Sequence, residues 1–356
     1  MSKKVLFMVL IIGLLLLVLP FLEACAKPAP APAPTPTPAA KTITVRALRP
    51  FPIDNNMSST YRRQIELGNQ MGQGKVVFKD MGGAEVYATG QQLEAVKSGT
   101  IDFLNAPGSY GLSLFPEADA QWMTFGATAV QQRETGLIAA LDRMARKRIG
   151  VAILGAPSYY TFNVFTKKPV KSLADLKGLK IRSTPTYESV MKALGVATVS
   201  IPMGELYTSL QTGVVDGACL PAMGNVGYAL QEVLKYQIYP PFWNVDSHLI
   251  YVNAAWFDAL PADVKDVIVN SVKKVDEESY GVFSKEAALE QPLLRKGGVQ
   301  PIVFTDDEWW QVQKMQWEFA GARLRQLAPE NAEELIKIAQ QFYPPKKVVW
   351  PPYDWK

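Results

Sequence analysis

The stretch from Leu173 to Pro221 constrains the fold of this 356-residue chain more than any other. Ser172 can cap a short helix over Leu173–Lys177, and Gly178 ends it. Lys180-Ile181-Arg182 reads as a strand. Thr184 followed by Pro185 is a helix start, a cap residue before proline at the first helical position. Gly213-Val214-Val215 reads as the next strand, followed by Asp216-Gly217. Such units build α/β layers whose ligands sit beyond the carboxyl ends of strands. Arg182 lies at one of these ends. A guanidinium offers five donors in a planar fork that matches a carboxylate, and helix amides starting near Thr184 add positive potential. By composition alone, a surface Arg182 paired with Glu188 or Asp216 is the competing reading.

The same alternation runs through the chain. Thr42–Leu48, Lys75–Asp80, Ile101–Asn105, Gly150–Leu154 and Thr161–Phe165 read as strands. Met57–Met71, Thr89–Lys97 and Val130–Arg148 read as helices between them. This predicts an α/β chain with largely parallel sheets. Pro261 opens a long helix to about Leu289, with Val264, Ile268, Val272 and Val275 on its buried side. Thr305 to Glu308 caps another helix, and Trp309, Trp310 and Trp317 in it read as core and lobe-contact aromatics. The end, YPPKKVVWPPYDWK, reads as an extended surface strap.

The N-terminus gives an address. Lys3 and Lys4 precede an apolar run, Val5–Leu19, in the pattern of a secretory leader. Leu22-Glu23-Ala24-Cys25 resembles a bacterial lipobox, which makes Cys25 the lipidated residue; an uncleaved N-terminal anchor is the alternative. Lys27–Ala40 (KPAPAPAPTPTPAA) favours extended polyproline II, and its residues Pro28–Pro38 reach about 34 Å. It reads as a tether.

Residue content narrows the chemistry. The formal charge is +4, with Lys and Arg scattered among Asp and Glu, so no nucleic-acid stripe is present. Arg143–Arg148 is locally basic and reads as a solvated helix end. With Cys25 lipidated, Cys219 has no disulfide partner. The chain has one histidine, His248, in a strand-like SHLIYVNA, where a packing or hydrogen-bonding role is the commoner one. No HExxH, GxSxG, GxxxxGK(S/T) or GxGxxG occurs. An enzyme working through two carboxylates stays open, although no pair is singled out.

KGLKIR at Lys177–Arg182, Ala193-Leu194-Gly195-Val196, and the run from Pro202 through Glu205, Tyr207, Leu210-Gln211 and Gly213 to Asp216-Gly217 resemble the DctP-type extracytoplasmic receptors of TRAP transporters. Gly99–Asp102, Pro169–Leu176 and Asn253–Pro261 resemble further motifs of that family, in the same order. The resemblance implies two α/β lobes joined by hinge strands, like periplasmic binding proteins, with a long helix spanning both. It divides the chain into a leader (1–24), a tether (25–41), lobe I (42–160 plus about 248–290) and lobe II (161–247 plus about 291–356). It implies that Arg182 holds the ligand carboxylate and that a TRAP-type permease receives the ligand. An ABC-importer receptor or a sensory module is the alternative in the binding class. A homodimer through the long helix and aromatic C-terminus is left open.

Departures from the family pattern bear on the ligand. Dicarboxylate-type and sialic-acid-type members place a second Arg where Phe162 stands, and many members carry Asn where Leu220 stands. A keto-acid-like branch uses Glu-Trp and a metal there; Cys219 and Leu220 replace that pair, and neither metal nor cofactor is expected. Gly204-Glu205 and the aromatic stretch Tyr236–Trp243 are similar to that branch. In this register Tyr160, Phe162, Leu220, Phe242 and Trp243 surround Arg182. Tyr187 stands as ligand wall or packing residue, and Glu85, Asn105 and Tyr110 are the first-lobe candidates. A second carboxylate in such surroundings stays unpaired and desolvated, whereas an apolar body gains about 25 cal/mol per Å² buried. The expected ligand is a monocarboxylate with an apolar or aromatic body.

Overall fold

The computed structural model describes residues 42–157, 160–245 and 248–347. The leader, Cys25, the tether and the end of the C-terminal stretch lie outside the described residues.

Alternation in the first segment gives strand β1 (Ile43–Leu48), with Val45, Ala47 and Leu48 buried. Helix α1 (Ser59–Gly72), β2 (Val76–Asp80), α2 (Gln92–Lys97) and β3 (Phe103–Pro107) follow, and β1 pairs parallel with both β2 and β3. The single helix expected over Val130–Arg148 is two, α3 (Ala129–Glu134) and α4 (Leu137–Ile149). Gly136 separates them at φ 82°, a left-handed conformation that glycine takes at no steric cost. The basic end of α4 is ion-paired: Arg143 with Glu334, Arg146 with Asp142 and Asp258, and Arg148 with Glu117 and Glu330.

β4 (Val151–Gly155) leads to β5 (Tyr160–Thr166), β6 (Lys180–Ser183), α5 (Pro185–Ala193), β7 (Ala197–Ser200), α6 (Met203–Gln211) and β8 (Gly217–Pro221). Gly213–Val215, expected as a strand, precedes β8 as a turn; Gly213 has φ 78°. The strand begins at Gly217 because β5 passes close by. A Cβ there would lie 2.2 Å from the Phe165 carbonyl oxygen. β9 (Tyr236–Tyr239), β10 (Trp243–Val245), β11 (His248–Asn253), α7 (Ala254–Asp258), α8 (Ala262–Lys296), β12 (Gln300–Val303), α9 (Asp306–Leu327) and α10 (Pro329–Ala339) complete the described chain.

Two sheets result, one in the order β2-β1-β3-β11-β4, the other β12-β9-β5-β8-β6-β7 with β10 on β5. They are mixed, not largely parallel. β11 runs antiparallel to β3 and β4, and β5 runs antiparallel to β8, β9 and β10. The chain leaves the first sheet after β4 and re-enters it from the same end through β11, which lies between β3 and β4 and whose Ile250 pairs with Gly155 at the end of β4. A strand entering where its neighbour exits must run the opposite way. A parallel neighbour needs a crossover of a dozen residues or more.

Helix α8 joins the two lobes. Val264, Ile268 and Val272 pack with Tyr61, Phe78 and Phe103 against the first sheet. Phe283 and Ala287 pack with Tyr160 and Met223, and Leu294 packs with Leu206, Leu210 and Leu230 in the second lobe. The helix runs on to Lys296, past the end expected near Leu289. This is the two-lobe α/β architecture with a long helix across both halves. Helix α9 starts at a capping box made by Thr305 and Glu308. Trp309 is buried and donates to the Pro241 carbonyl, while Trp310 and Trp317 pack edge-on against Tyr343.

Ile268→Ala should lower the unfolding free energy by about 2–5 kcal/mol, because it opens a cavity at the α8 contact with the first sheet. Leu289→Ala, on the exposed side of α8, should change it by less than about 0.5 kcal/mol. Urea unfolding of the two variants checks the difference, and equal losses would contradict this placement of the helix.

Candidate functional site

β6 ends at Ser183 because Pro185 cannot continue the ladder and instead opens α5, with Thr184 at the cap position. Arg182 therefore sits where the strand stops. Its side chain is 5% exposed. Nε donates to the Ile201 carbonyl at 3.0 Å, and Nη1 donates to Tyr187 Oη and the Cys219 carbonyl, both at 3.3 Å. Tyr187 Oη itself donates to the Cys219 carbonyl at 3.2 Å. All three acceptors are neutral. Among the described residues no carboxylate pairs with Arg182. Glu188 pairs with Lys192 and accepts from Thr198, and Asp216 accepts from the Lys180 amide. The surface-pair reading of Arg182 is thereby replaced.

Arg182 lines a cavity of about 50 Å³ walled by both lobes. Phe51, Met57, Ser109, Tyr110, Trp122 and His248 come from the side of the first sheet, and Tyr160, Phe162, Tyr187 and Met203 from the side of the second. Outside it lies a wider cleft of about 500 Å³, which shares Phe51, Ser109, Tyr110, Arg182, Thr184 and Met203 with the inner cavity. The inner wall is an aromatic cluster. Trp122 lies 5.3 Å from Phe162 and 5.6 Å from Tyr187 between ring centroids.

One charge dominates this space. Burial pushes the Tyr187 hydroxyl up to about 12, and raises Tyr110 against the pull of the Arg182 cation. Burial also pushes His248 down to about 3, so its imidazole is neutral at physiological pH. Arg182 is thus the single side chain lining the inner cavity, among the described residues, that is charged at neutral pH.

The sequence-derived candidates divide into three sets. Arg182, Tyr160, Phe162 and Tyr187 line the inner cavity, as does Tyr110. Cys219 takes part through its backbone carbonyl, while its thiol is buried and held protonated by desolvation. Asn105 stands behind the wall, with Oδ1 2.8 Å from His248 Nδ1. Trp243 likewise backs the wall, stacked on Tyr187 at 4.9 Å. Leu220 does not reach the cavity. Side chains alternate along β8, and Leu220 falls on the opposite face, packed with Leu206 and Leu210. Phe242 is fully buried against Phe304 and Trp243 in the core. Glu85 borders only the outer cleft, where its carboxylate accepts from the Gly83 amide and faces Arg49. Cys25 lies outside the described residues.

Phe51, Met57, Trp122, Met203 and His248 were not among the sequence-derived candidates. For Phe51 a signal existed, since it lies just past the carboxyl end of β1 in a parallel unit. Trp122 lies in a 3-10 stretch, Pro116–Met123, that carries no strand or helix period. The keto-acid-type metal site does not fit these residues. No carboxylate lines the inner cavity among the described residues, and the Cys219 thiol is protonated and turned into the core.

Two α/β lobes thus flank a cleft that holds one buried cation, the architecture of a solute-binding protein. The family model for bacterial extracellular solute-binding protein, family 7 (DctP), matches residues 63–323, and the chain belongs to that family, whose members are TRAP-transporter receptors rather than enzymes. It is 24% identical over 282 residues to a solute-binding protein of Albidiferax ferrireducens, covering 75% of this chain and 81% of the relative. It is 24% identical over 259 residues to a monocarboxylate 2-oxoacid-binding periplasmic protein of a Nostoc strain, covering 70% of each. A TRAP periplasmic solute-binding protein of Desulfovibrio salexigens, solved with bound orotic acid, superposes with a TM-score of 0.75 at 21% identity, covering 85% of this chain and 99% of that one.

The depressed His248 pKa has a stability consequence. Below its ordinary value near 6.5 the unfolded chain takes up a proton that the folded chain refuses until about pH 3. Stability from this group is complete above pH 6.5 and falls as pH drops toward 3. Between pH 7.5 and 5, the wild type should lose about 2 kcal/mol more than His248→Gln, at about 1.4 kcal/mol per pH unit below 6.5. Denaturant melts at the two pH values check this, and parallel losses would contradict the buried neutral imidazole.

Proposed function

We propose that this protein is a membrane-tethered receptor that captures a small monocarboxylate with an apolar or aromatic body and delivers it to a TRAP-type permease. The observation that carries the reading is Arg182, a buried guanidinium with three neutral acceptors and no carboxylate partner among the described residues. A desolvated cation is stabilised when an anion completes its shell, and the fork geometry suits a carboxylate. The rest of the inner wall is uncharged and largely aromatic, which favours one carboxylate over two. The name of the Nostoc relative and the orotic acid held by the Desulfovibrio protein are in keeping with a carboxylate ligand. The lobes divide the chain at 42–160 with about 248–290, and 161–247 with about 291–356, closing on the ligand between them. The side chains placed on the ligand are Arg182, Tyr160, Phe162 and Tyr187, with Tyr110 at the mouth.

Arg182→Ala should weaken binding of any ligand by about 3–5 kcal/mol while leaving the melting transition cooperative. Titration calorimetry with size-matched mono- and dicarboxylates reads both the affinity and the preference. Unchanged affinity in the variant, or tighter dicarboxylate binding by the wild type, would reject the reading.

Lipidation of Cys25 and the extended tether account for the address. In a bacterial host, Cys25→Ser should move the protein from the membrane fraction to the soluble extracytoplasmic fraction and remove the lipid mass from its N-terminal peptide. A variant that stays in the membrane fraction would favour an uncleaved anchor.

A further inference from the structure

Trp122 divides two spaces. It is 4% exposed and lines the inner cavity together with Arg182. It also lines a second, smaller cavity of about 10 Å³, bounded by Met123, Trp243, Gln313, Gln316 and Trp317. No other described residue borders both. The indole is therefore the partition between them. Packing fixes its place, since its ring meets Phe162 at 5.3 Å and Tyr187 at 5.6 Å between centroids. Tyr187 in turn accepts from Arg182, so the partition stands against the cation's own partner.

The space behind the indole is bordered by a donor with nothing to donate to. Gln316, on α9, is 4% exposed. Its Oε1 accepts from Trp243 Nε1 at 2.8 Å. An indole nitrogen can only donate, so the amide has one orientation and Nε2 is its other end. Nε2 is buried and has no hydrogen-bond partner among the described residues. A cavity of this size takes about one water-sized group.

We propose that Trp122 is the specificity-determining wall of the site: it stops the body of the bound acid and closes off a subsite in which Gln316 Nε2 donates to an acceptor. This rests on the carboxylate reading above and narrows it to acids whose body is no longer than one compact ring. A longer acid meets a packed indole that cannot yield without displacing Phe162 and Tyr187. A shortened side chain at position 122 joins the two spaces. The amide then selects among longer acids, because a buried donor left unmatched is costly.

The test uses the mature full-length protein with benzoate and its 3- and 4-acetyl and 3- and 4-isopropyl derivatives. Acetyl and isopropyl match in shape, and only acetyl accepts a hydrogen bond. By calorimetry the wild type should bind benzoate about tenfold more tightly than any derivative. Trp122→Ala should remove that penalty at one ring position or both, and there favour the acetyl acid over its isopropyl counterpart by about tenfold. Adding Gln316→Met should abolish the acetyl preference while the tolerance of length persists. Trp122→Leu, a smaller cut, takes the place of the alanine variant if that one does not melt cooperatively. A wild type that binds the whole panel alike, a length penalty that survives truncation, equal affinities of acetyl and isopropyl acids in the truncated variant, or an acetyl preference that survives Gln316→Met overturns the proposal alone, provided that benzoate binding depends on Arg182. Failure of the whole panel to bind overturns the carboxylate reading with it.

Discussion

A guanidinium held out of water by neutral partners sets the terms for everything around it. Arg182 gives up its hydration for two backbone carbonyls and one phenol. Those carbonyls come from the stretch after β7 and from β8, the two strands that flank β6 in parallel. The sheet itself therefore aims the acceptors, and no flexible side chain has to be ordered for them. Carbonyl dipoles compensate part of the desolvation of a cation, and an anion compensates more. Refolding the same segment with Arg182 at the surface would have removed this demand. The proline that ends β6 and the close contact of Gly217 with β5 hold the residue inside.

The cavity exists because two sheets, each stable on its own face, meet along a wall that neither closes alone. Phe51, Tyr110 and His248 lie at or beyond the ends of first-sheet strands, while Phe162 and Arg182 belong to the second sheet. Helix α8 contributes to three separate apolar clusters along its length, one against the first sheet and two toward the second. It ties the two walls together. Tyr160 links these levels. Its ring packs at 4.4 Å on Phe283 of α8, and the same side chain lines the cavity.

What the sequence discloses and what it hides have separate physical causes. Strands and helices with strong local signals were legible: the Thr184-Pro185 start, the Thr305–Glu308 capping box, and the apolar stripe of α8. The position of Arg182 was legible because it depends on a strand end, which is a local property. Strand direction was not, since it depends on where β11 re-enters the first sheet. Leu220 was misplaced because a one-residue difference in register turns a strand side chain to the opposite face. Trp243 and Asn105, expected on the ligand, stand one layer behind the cavity wall, against Tyr187 and His248. His248 itself read as a packing or hydrogen-bonding residue, and only tertiary structure brings it to the wall of the cavity.

The distribution of polarity around the two spaces gives the site a direction. Arg182 belongs to both the small inner cavity and the wide outer cleft, so it stands at the neck between them. Inward of it lie rings and methionines, with Ser109, His248 and the hydroxyls of Tyr110, Tyr160 and Tyr187 as polar features. Outward lie Ser200, Gly204 and Glu85, which remain in reach of water. A carboxylate paired at the neck can send its body only one way without losing apolar burial, and that way is inward. The inner volume then limits the body to a compact ring or short branched chain. A second negative charge placed inward meets no cation among the described residues, and placed outward it borders Glu85, whose own carboxylate faces Arg49.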